Sequence, residues 1–249
     1  MNTLTFKKHD VRYEPYPIIY FNELIEPEIY RKLLANWPDT ELFVEKPGLG
    51  SKYSLSERNN KSDYLKFIKN TPCWKNFYNF IKSPDFIEST LLFLKQKNID
   101  LYLPNYKTVS KSHKRSSSIL SRLNRVIELN ARFEFSMMDA HLGNILPHTD
   151  DPNKIITIVI SMIKQDEWDP SWGGGTQICS PKDKSLLYNF KNKYLNFHDV
   201  DIIDEFPFVP NQGICFIKTH NSWHQVAPLR GPMNGPLRKT ITLNIEVIK

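Results

Sequence analysis

Residues 238–247, RKTITLNIEV, alternate between polar and apolar side chains with a period of two. Ile241, Leu243, Ile245 and Val247 share one face. Only an extended strand puts residues i and i+2 on the same side, so this segment commits the end of the chain to a sheet with an apolar face. RFEFSMM at 132–138, KIITIVISM at 154–162 and GICFIKT at 213–219 have the same texture. They are rich in β-branched and aromatic residues and are separated by Gly, Pro, Asn and Asp. Strands at this spacing predict a sandwich or jelly roll rather than a parallel α/β sheet.

The first half reads differently. PIIYF, from Pro17, predicts a strand, and Glu26-Pro27-Glu28 predicts a helix start. Proline is tolerated in a first turn, and acidic residues suit the positive end of the helix dipole. Ile29, Leu33 and Leu34 follow at helical spacing, and Pro38 ends the run. Residues 63–97 also predict mainly helix, with Phe67, Ile68, Phe77, Phe80, Ile81, Leu91, Leu92 and Leu94 as core candidates. The expectation is an α+β chain forming one unit over 1–249. Residues 1–130 would be a mainly helical part packed on a β-rich core at 131–249.

The 249 residues can bury a substantial core without staples. No apolar run is long enough for a membrane helix, so no membrane partner is expected. The opening segment lacks the apolar centre of a secretion signal. Three cysteines, Cys73, Cys179 and Cys215, include no CxxC pair. That argues against a disulfide framework, and a cytoplasmic setting is the expectation. A net charge of +6 is too small to point to nucleic acid. Residues 104–125 hold six Lys and Arg among several serines and read, to about Ser118, as a mobile loop.

The chemistry-bearing segment is Gly143-Asn144-Ile145-Leu146-Pro147-His148-Thr149-Asp150. On a strand, His148 and Asp150 would offer an imidazole nitrogen and a carboxylate oxygen to one point. The pair is two-thirds of a 2-His-1-carboxylate set, which suits non-haem Fe(II) and leaves positions open for cosubstrate and dioxygen. A lone HxD is a weak signal and needs a downstream histidine. His224, in Trp223-His224-Gln225-Val226 after the apolar GICFIKT strand, meets that need. His220 competes from a polar turn. Arg238 opens the last strand, with Thr240 on the same face. A guanidinium can pair bidentately with a carboxylate, helped by a hydroxyl. Lys239, on the opposite face, and Arg230 are lesser candidates.

His148-Thr149-Asp150, Trp172-Gly173-Gly174-Gly175-Thr176, His224-Gln225-Val226 and Arg238-Lys239-Thr240, in that order, resemble the Fe(II)/2-oxoglutarate-dependent oxygenase superfamily. The likeness is to its prolyl-4-hydroxylase-like branch, and it covers roughly residues 131–249. Gly143 and Pro147 occupy the places that branch gives them. The resemblance implies a double-stranded β-helix (a cupin-like jelly roll) and iron bound by His148, Asp150 and His224. It implies that Arg238, helped by Thr240, holds the distal carboxylate of 2-oxoglutarate. Dioxygen would be the other cosubstrate, with ascorbate as a candidate accessory reductant. The implied reaction is hydroxylation with release of succinate and CO2. The chain departs from the branch at Ile145, where many members carry a tyrosine that contacts 2-oxoglutarate. An intact Asp150 favours hydroxylation over halogenation.

The substrate is not legible. A small molecule, a sugar or a protein side chain such as proline all fit, and so does any oligomeric state. Trp168, Trp172 and Trp223 are candidate contacts, with packing as the plainer role for each. Asp139 and His141 could touch substrate or merely form a turn. Two other classes stay open: a non-catalytic jelly-roll binding protein, and a zinc hydrolase built on the same three ligands.

Overall fold

The computed structural model describes residues 3–46, 50–103, 105–109 and 126–248. Most of the basic 104–125 stretch therefore lies outside the described residues. Its Lys107 is among them and pairs with Glu128 at 2.8 Å.

Before residue 126 the chain forms strands β1 (His9–Arg12) and β2 (Ile18–Phe21), helix α1 (Pro27–Ala35), and strands β3 (Val44–Lys46) and β4 (Lys52–Ser56). Helices α2 (Lys61–Asn70), α3 (Pro72–Ile81) and α4 (Pro84–Gln96) follow, then strand β5 (Tyr106–Thr108). The rest is strands: β6 (Ile127–Met138), β7 (Ile145–His148), β8 (Lys154–Ser161), β9 (Thr176–Pro181), β10 (Val200–Phe206), β11 (Gly213–Ile217), β12 (His224–Val226) and β13 (Arg238–Val247). Among the described residues, no helix is long and apolar enough to cross a membrane.

Two sheets face each other as a jelly roll. The larger runs β1-β2-β11-β8-β13-β6-β4-β3, with β5 parallel to the start of β6. The smaller runs β10-β9-β12-β7. The last eight strands supply four to each sheet, which is the expected core. The first half is less purely helical than its sequence suggests. Strands β1 to β5 extend the larger sheet, with β2 paired to β11 and β4 to β6. VEK spans three residues and KYSLS five, too few for periodicity to reveal them.

The period-two pattern of β13 explains how the molecule divides. Ile241, Leu243 and Ile245 are buried in the large core, against helices rather than inside the roll. On neighbouring β6, Phe133 and Phe135 take the same side. Trp74 of α3 meets Phe135 with ring centroids 4.6 Å apart, and Phe77 meets Phe133 at 5.3 Å. Each fully buried aromatic or aliphatic side chain contributes roughly 1.5–3 kcal/mol, so this layer holds the helices on the sheet. Helix α1 is fixed separately. Glu26 caps it by accepting from the amides of Glu28 and Ile29, as its sequence suggested. The Tyr30 hydroxyl donates to the carbonyl of Ile163 at 2.6 Å.

The alternate residues of β13, namely Arg238, Thr240, Thr242, Asn244 and Glu246, face into the roll. Glu246 is paired there with Arg132 of β6 through two contacts of 2.7 and 3.0 Å. One face of a single strand is thus apolar core and the other a polar cavity floor.

Candidate active site

His148 ends β7 and His224 opens β12. The two strands pair antiparallel with these residues in direct register. Their ring centroids lie 4.4 Å apart, and the His224 ring also packs against Phe216 at 4.3 Å. Each Nδ1 lies 2.9 Å from a backbone carbonyl, Leu146 for His148 and Ser222 for His224. A carbonyl only accepts, so Nδ1 carries the proton and Nε2 keeps its lone pair. Burial, with His148 beside it, pushes the His224 pKa down to about 3, which keeps the ring in its ligating form.

Asp150 reaches the same point by a route other than strand alternation. β7 stops at His148, and Asp150 has a left-handed backbone with φ of 68°. Aspartate tolerates that conformation better than most residues. The turn swings its carboxylate under the two rings, so that one ligand atom from each of His148, Asp150 and His224 lies within 4.8 Å of the others. All three side chains are withdrawn from solvent. Burial works against ionisation of Asp150, but the Lys154 ammonium outweighs it and holds the carboxyl well below its usual range. Lys154 Nζ lies 2.7 Å from Oδ1, and Thr157 donates to Oδ2 at 2.9 Å. Two neutral imidazoles and one carboxylate, each oriented by a second group, fit a divalent transition metal such as Fe(II).

Arg238 opens onto the same cavity. It is only 4% exposed, and its Nε donates to the carbonyl of Gly174 at 2.7 Å. Its guanidinium carbon sits 4.6 Å over the Phe208 ring. Among the described residues no carboxylate pairs with it. Burial alone pushes its pKa down to about 9. A buried cation with one anchored nitrogen and no counter-charge among the described residues has the chemistry to receive an anion. Thr240 stands two residues along and is buried on the same face. Gly173 and Gly174 have φ of 78° and 92°, values that suit glycine, and this turn presents the carbonyl that fixes Arg238.

The other candidates separate cleanly. His220 is exposed and packs on Phe190 at 4.2 Å. Lys239 points away from the cavity and pairs with Glu167 at 3.3 Å, and Arg230 is exposed. Ile145 lines the cavity where a tyrosine was the family expectation. Asp139 accepts from the His141 amide at 2.7 Å in a local turn. Trp223 is buried and donates to the carbonyl of Leu187, while Trp168 donates to the carbonyl of Gly173. Both are packing residues, and Trp172 packs edge-on against Trp168.

Sequence reasoning missed Lys154, Thr157 and Tyr194. Thr157 interrupts the apolar run of β8 and so left a trace, whereas Lys154, four residues after Asp150, left none. Tyr194 stacks on His148 at 5.4 Å from an irregular segment, and nothing in the sequence marks it.

No protein-family model matches the chain, and no curated protein sequence matches it significantly. Solved structures do. A prolyl-4-hydroxylase from Pseudomonas putida superposes with a TM-score of 0.51 at 12% identity, covering 92% of this chain and 91% of that one. A prolyl hydroxylase from Trichoplax adhaerens, in complex with a hypoxia-inducible-factor peptide fragment, gives 0.48 at 12% identity over 92% and 83%. An oxidoreductase of the 2OG-Fe(II) oxygenase family from Burkholderia pseudomallei gives 0.42 at 12% identity over 92% and 84%. Across nearly its whole length, the chain has the fold of the Pseudomonas putida prolyl-4-hydroxylase.

Proposed function

We propose that this protein is an Fe(II)- and 2-oxoglutarate-dependent dioxygenase that hydroxylates its substrate and releases succinate and CO2. One observation carries the reading. A buried His148–Asp150–His224 cluster shares a cavity with Arg238, a buried guanidinium that has no carboxylate partner among the described residues. A metal site alone has no use for that arginine, and a keto acid with a distal carboxylate needs both. The fold shared with a prolyl-4-hydroxylase agrees with the reading.

His148 and His224 would ligate iron through Nε2 and Asp150 through its carboxylate. The carbonyls of Leu146 and Ser222 keep both rings in the right tautomer. Arg238 would pair with the C5 carboxylate of 2-oxoglutarate, and Thr240 would add a hydrogen bond. Bound iron supplies oxygen activation coupled to oxidative decarboxylation of the keto acid, the chemistry that no side chain here offers. Phe216, Val159 and Ile145 line the same cavity and give it an apolar wall. The whole chain would act as one catalytic unit, since β1 to β5 and the helices complete the sheet on which the site rests.

The test is succinate formation. The iron-loaded protein should convert 2-oxoglutarate to succinate slowly without substrate, and only with Fe(II) and O2 present. Hydrolysis of ester or amide substrates by the zinc-loaded protein, with no succinate, would support the zinc-hydrolase alternative. Absence of both activities would support a non-catalytic jelly-roll binding protein. A protein-side-chain substrate, as against a small molecule, would be identified by which member of a peptide and metabolite screen accelerates succinate release.

A further inference from the structure

Lys154 is the first residue of β8 and stands four residues beyond Asp150. Its ammonium lies 2.7 Å from Asp150 Oδ1, and the two side chains are 14% and 9% exposed. The same oxygen lies 3.7 Å from His148 Nε2. Lys154 has therefore taken the carboxylate oxygen that also lies near His148. The other oxygen, Oδ2, is already held by the Thr157 hydroxyl, which itself lies 3.2 Å from Asn244. Thr157 is the neutral hydrogen-bond donor that usually orients a ligating carboxylate. A lysine is different because it adds a full positive charge where a divalent cation must bind.

Two other acidic groups near Lys154 are already paired. Glu246 is across the strand pair but is held by Arg132 and Arg58. Glu134 is held by Lys52 at 3.0 Å. Lys154 and Asp150 are thus each other's counter-ion.

We propose that Lys154 holds the Asp150 side chain in its ligand pose in the metal-free protein, and that its charge then opposes the incoming divalent cation, so that this lysine sets the metal affinity of the site. The inference rests on the reading of His148, Asp150 and His224 as metal ligands. In the metal-free protein the ammonium supplies the counter-charge that a buried carboxylate requires. On loading, ammonium and metal share one carboxylate, and their repulsion weakens binding. Lys154 is a positioning residue, and it acts through Asp150.

The experiment is anaerobic calorimetric titration with Co(II) of the purified full-length chain, comparing wild type with Lys154→Met, Lys154→Arg and His224→Ala. Methionine keeps the length of the side chain without its charge, and arginine keeps the charge. Lys154→Met is expected to bind Co(II) about tenfold tighter or more, and Lys154→Arg to stay within about threefold of wild type. Lys154→Met should also melt lower than wild type without metal and gain more from Co(II). If the methionine variant does not fold without metal, Co(II) added during refolding should rescue it, and failure of rescue overturns the proposal. Unchanged or weaker Co(II) binding by Lys154→Met overturns the role of Lys154 and leaves the metal site standing. No difference in Co(II) binding between wild type and His224→Ala overturns the metal site itself.

Discussion

His148 and His224 are direct cross-strand partners, each holding its Nδ1 at 2.9 Å from a carbonyl two residues earlier in its own chain segment. The repeated geometry fixes both tautomers without a side-chain partner. It turns two lone pairs toward one point before any ligand arrives, which is preorganisation. The hydrogen bonds come from backbone, so no nearby substitution can easily remove them.

Arg238 is where binding and stability should oppose one another. Among the described residues its buried charge has no counter-charge, and a buried unpaired cation is costly. Arg238→Met should raise the melting temperature of the protein without 2-oxoglutarate. It should abolish the thermal shift that 2-oxoglutarate gives the wild type. Affinity for 2-oxoglutarate should fall by about 100-fold, since losing one partner of a buried hydrogen-bonded charge pair costs roughly 2–5 kcal/mol. Metal binding should be unchanged, as calorimetry can check.

Gly174 tests the anchor of that arginine. Its φ is 92°, and an added Cβ would lie 3.2 Å from the Trp168 ring and 3.4 Å from Arg238 Nε. Gly174→Ala should cost about 1–3 kcal/mol in urea unfolding and weaken 2-oxoglutarate binding as well. Gly173→Ala has open space for its Cβ and should show the backbone cost with a smaller effect on binding.

Glu134 gives a pH signature outside the ligand set. Burial resists its ionisation, but Lys52 and Arg132 prevail and bring its pKa down to about 2. A carboxyl depressed in the folded state stabilises the fold above its unfolded value and loses that contribution as pH falls through the folded value. Glu134→Gln should therefore be less stable than wild type at pH 7. The gap, of about 3 kcal/mol, should close between about pH 4.5 and pH 2, as paired urea titrations would report.

The apolar layer between helices and sheet carries the largest mechanical load. Phe135 is fully buried and packs against Trp74, Trp37 and Phe133. Phe135→Ala should destabilise by about 3–5 kcal/mol. Its cost should appear in denaturant midpoints rather than in 2-oxoglutarate affinity, because this face of β6 lies opposite the cavity.

What was legible in the sequence follows from where each signal is local. The alternation in β13 announced both its strand and the two faces that divide core from cavity. Helix α1 was legible because Glu26 and Pro27 act within one turn. His148, Asp150, His224 and Arg238 were legible as an ordered series, and all four meet in one cavity. The route of Asp150 was misread: its approach depends on a left-handed turn, and HTD reads the same in a strand. Strands β3 and β4 were invisible because they span only three and five residues, too few to establish a period, and because the pairing of β4 with β6 is long-range. Lys154 was overlooked because an i+4 lysine in a strand context means nothing until the turn at Asp150 brings the two together.

The most direct test is anaerobic absorption spectroscopy of the purified protein with Fe(II) and 2-oxoglutarate. Chelation of the keto acid at an iron held by the three ligands should produce a weak visible charge-transfer band. The band should vanish in His148→Ala and require much more 2-oxoglutarate in Arg238→Met. A wild-type spectrum without the band, or a band of equal strength in His148→Ala, would contradict the assignment of iron and 2-oxoglutarate to this cavity.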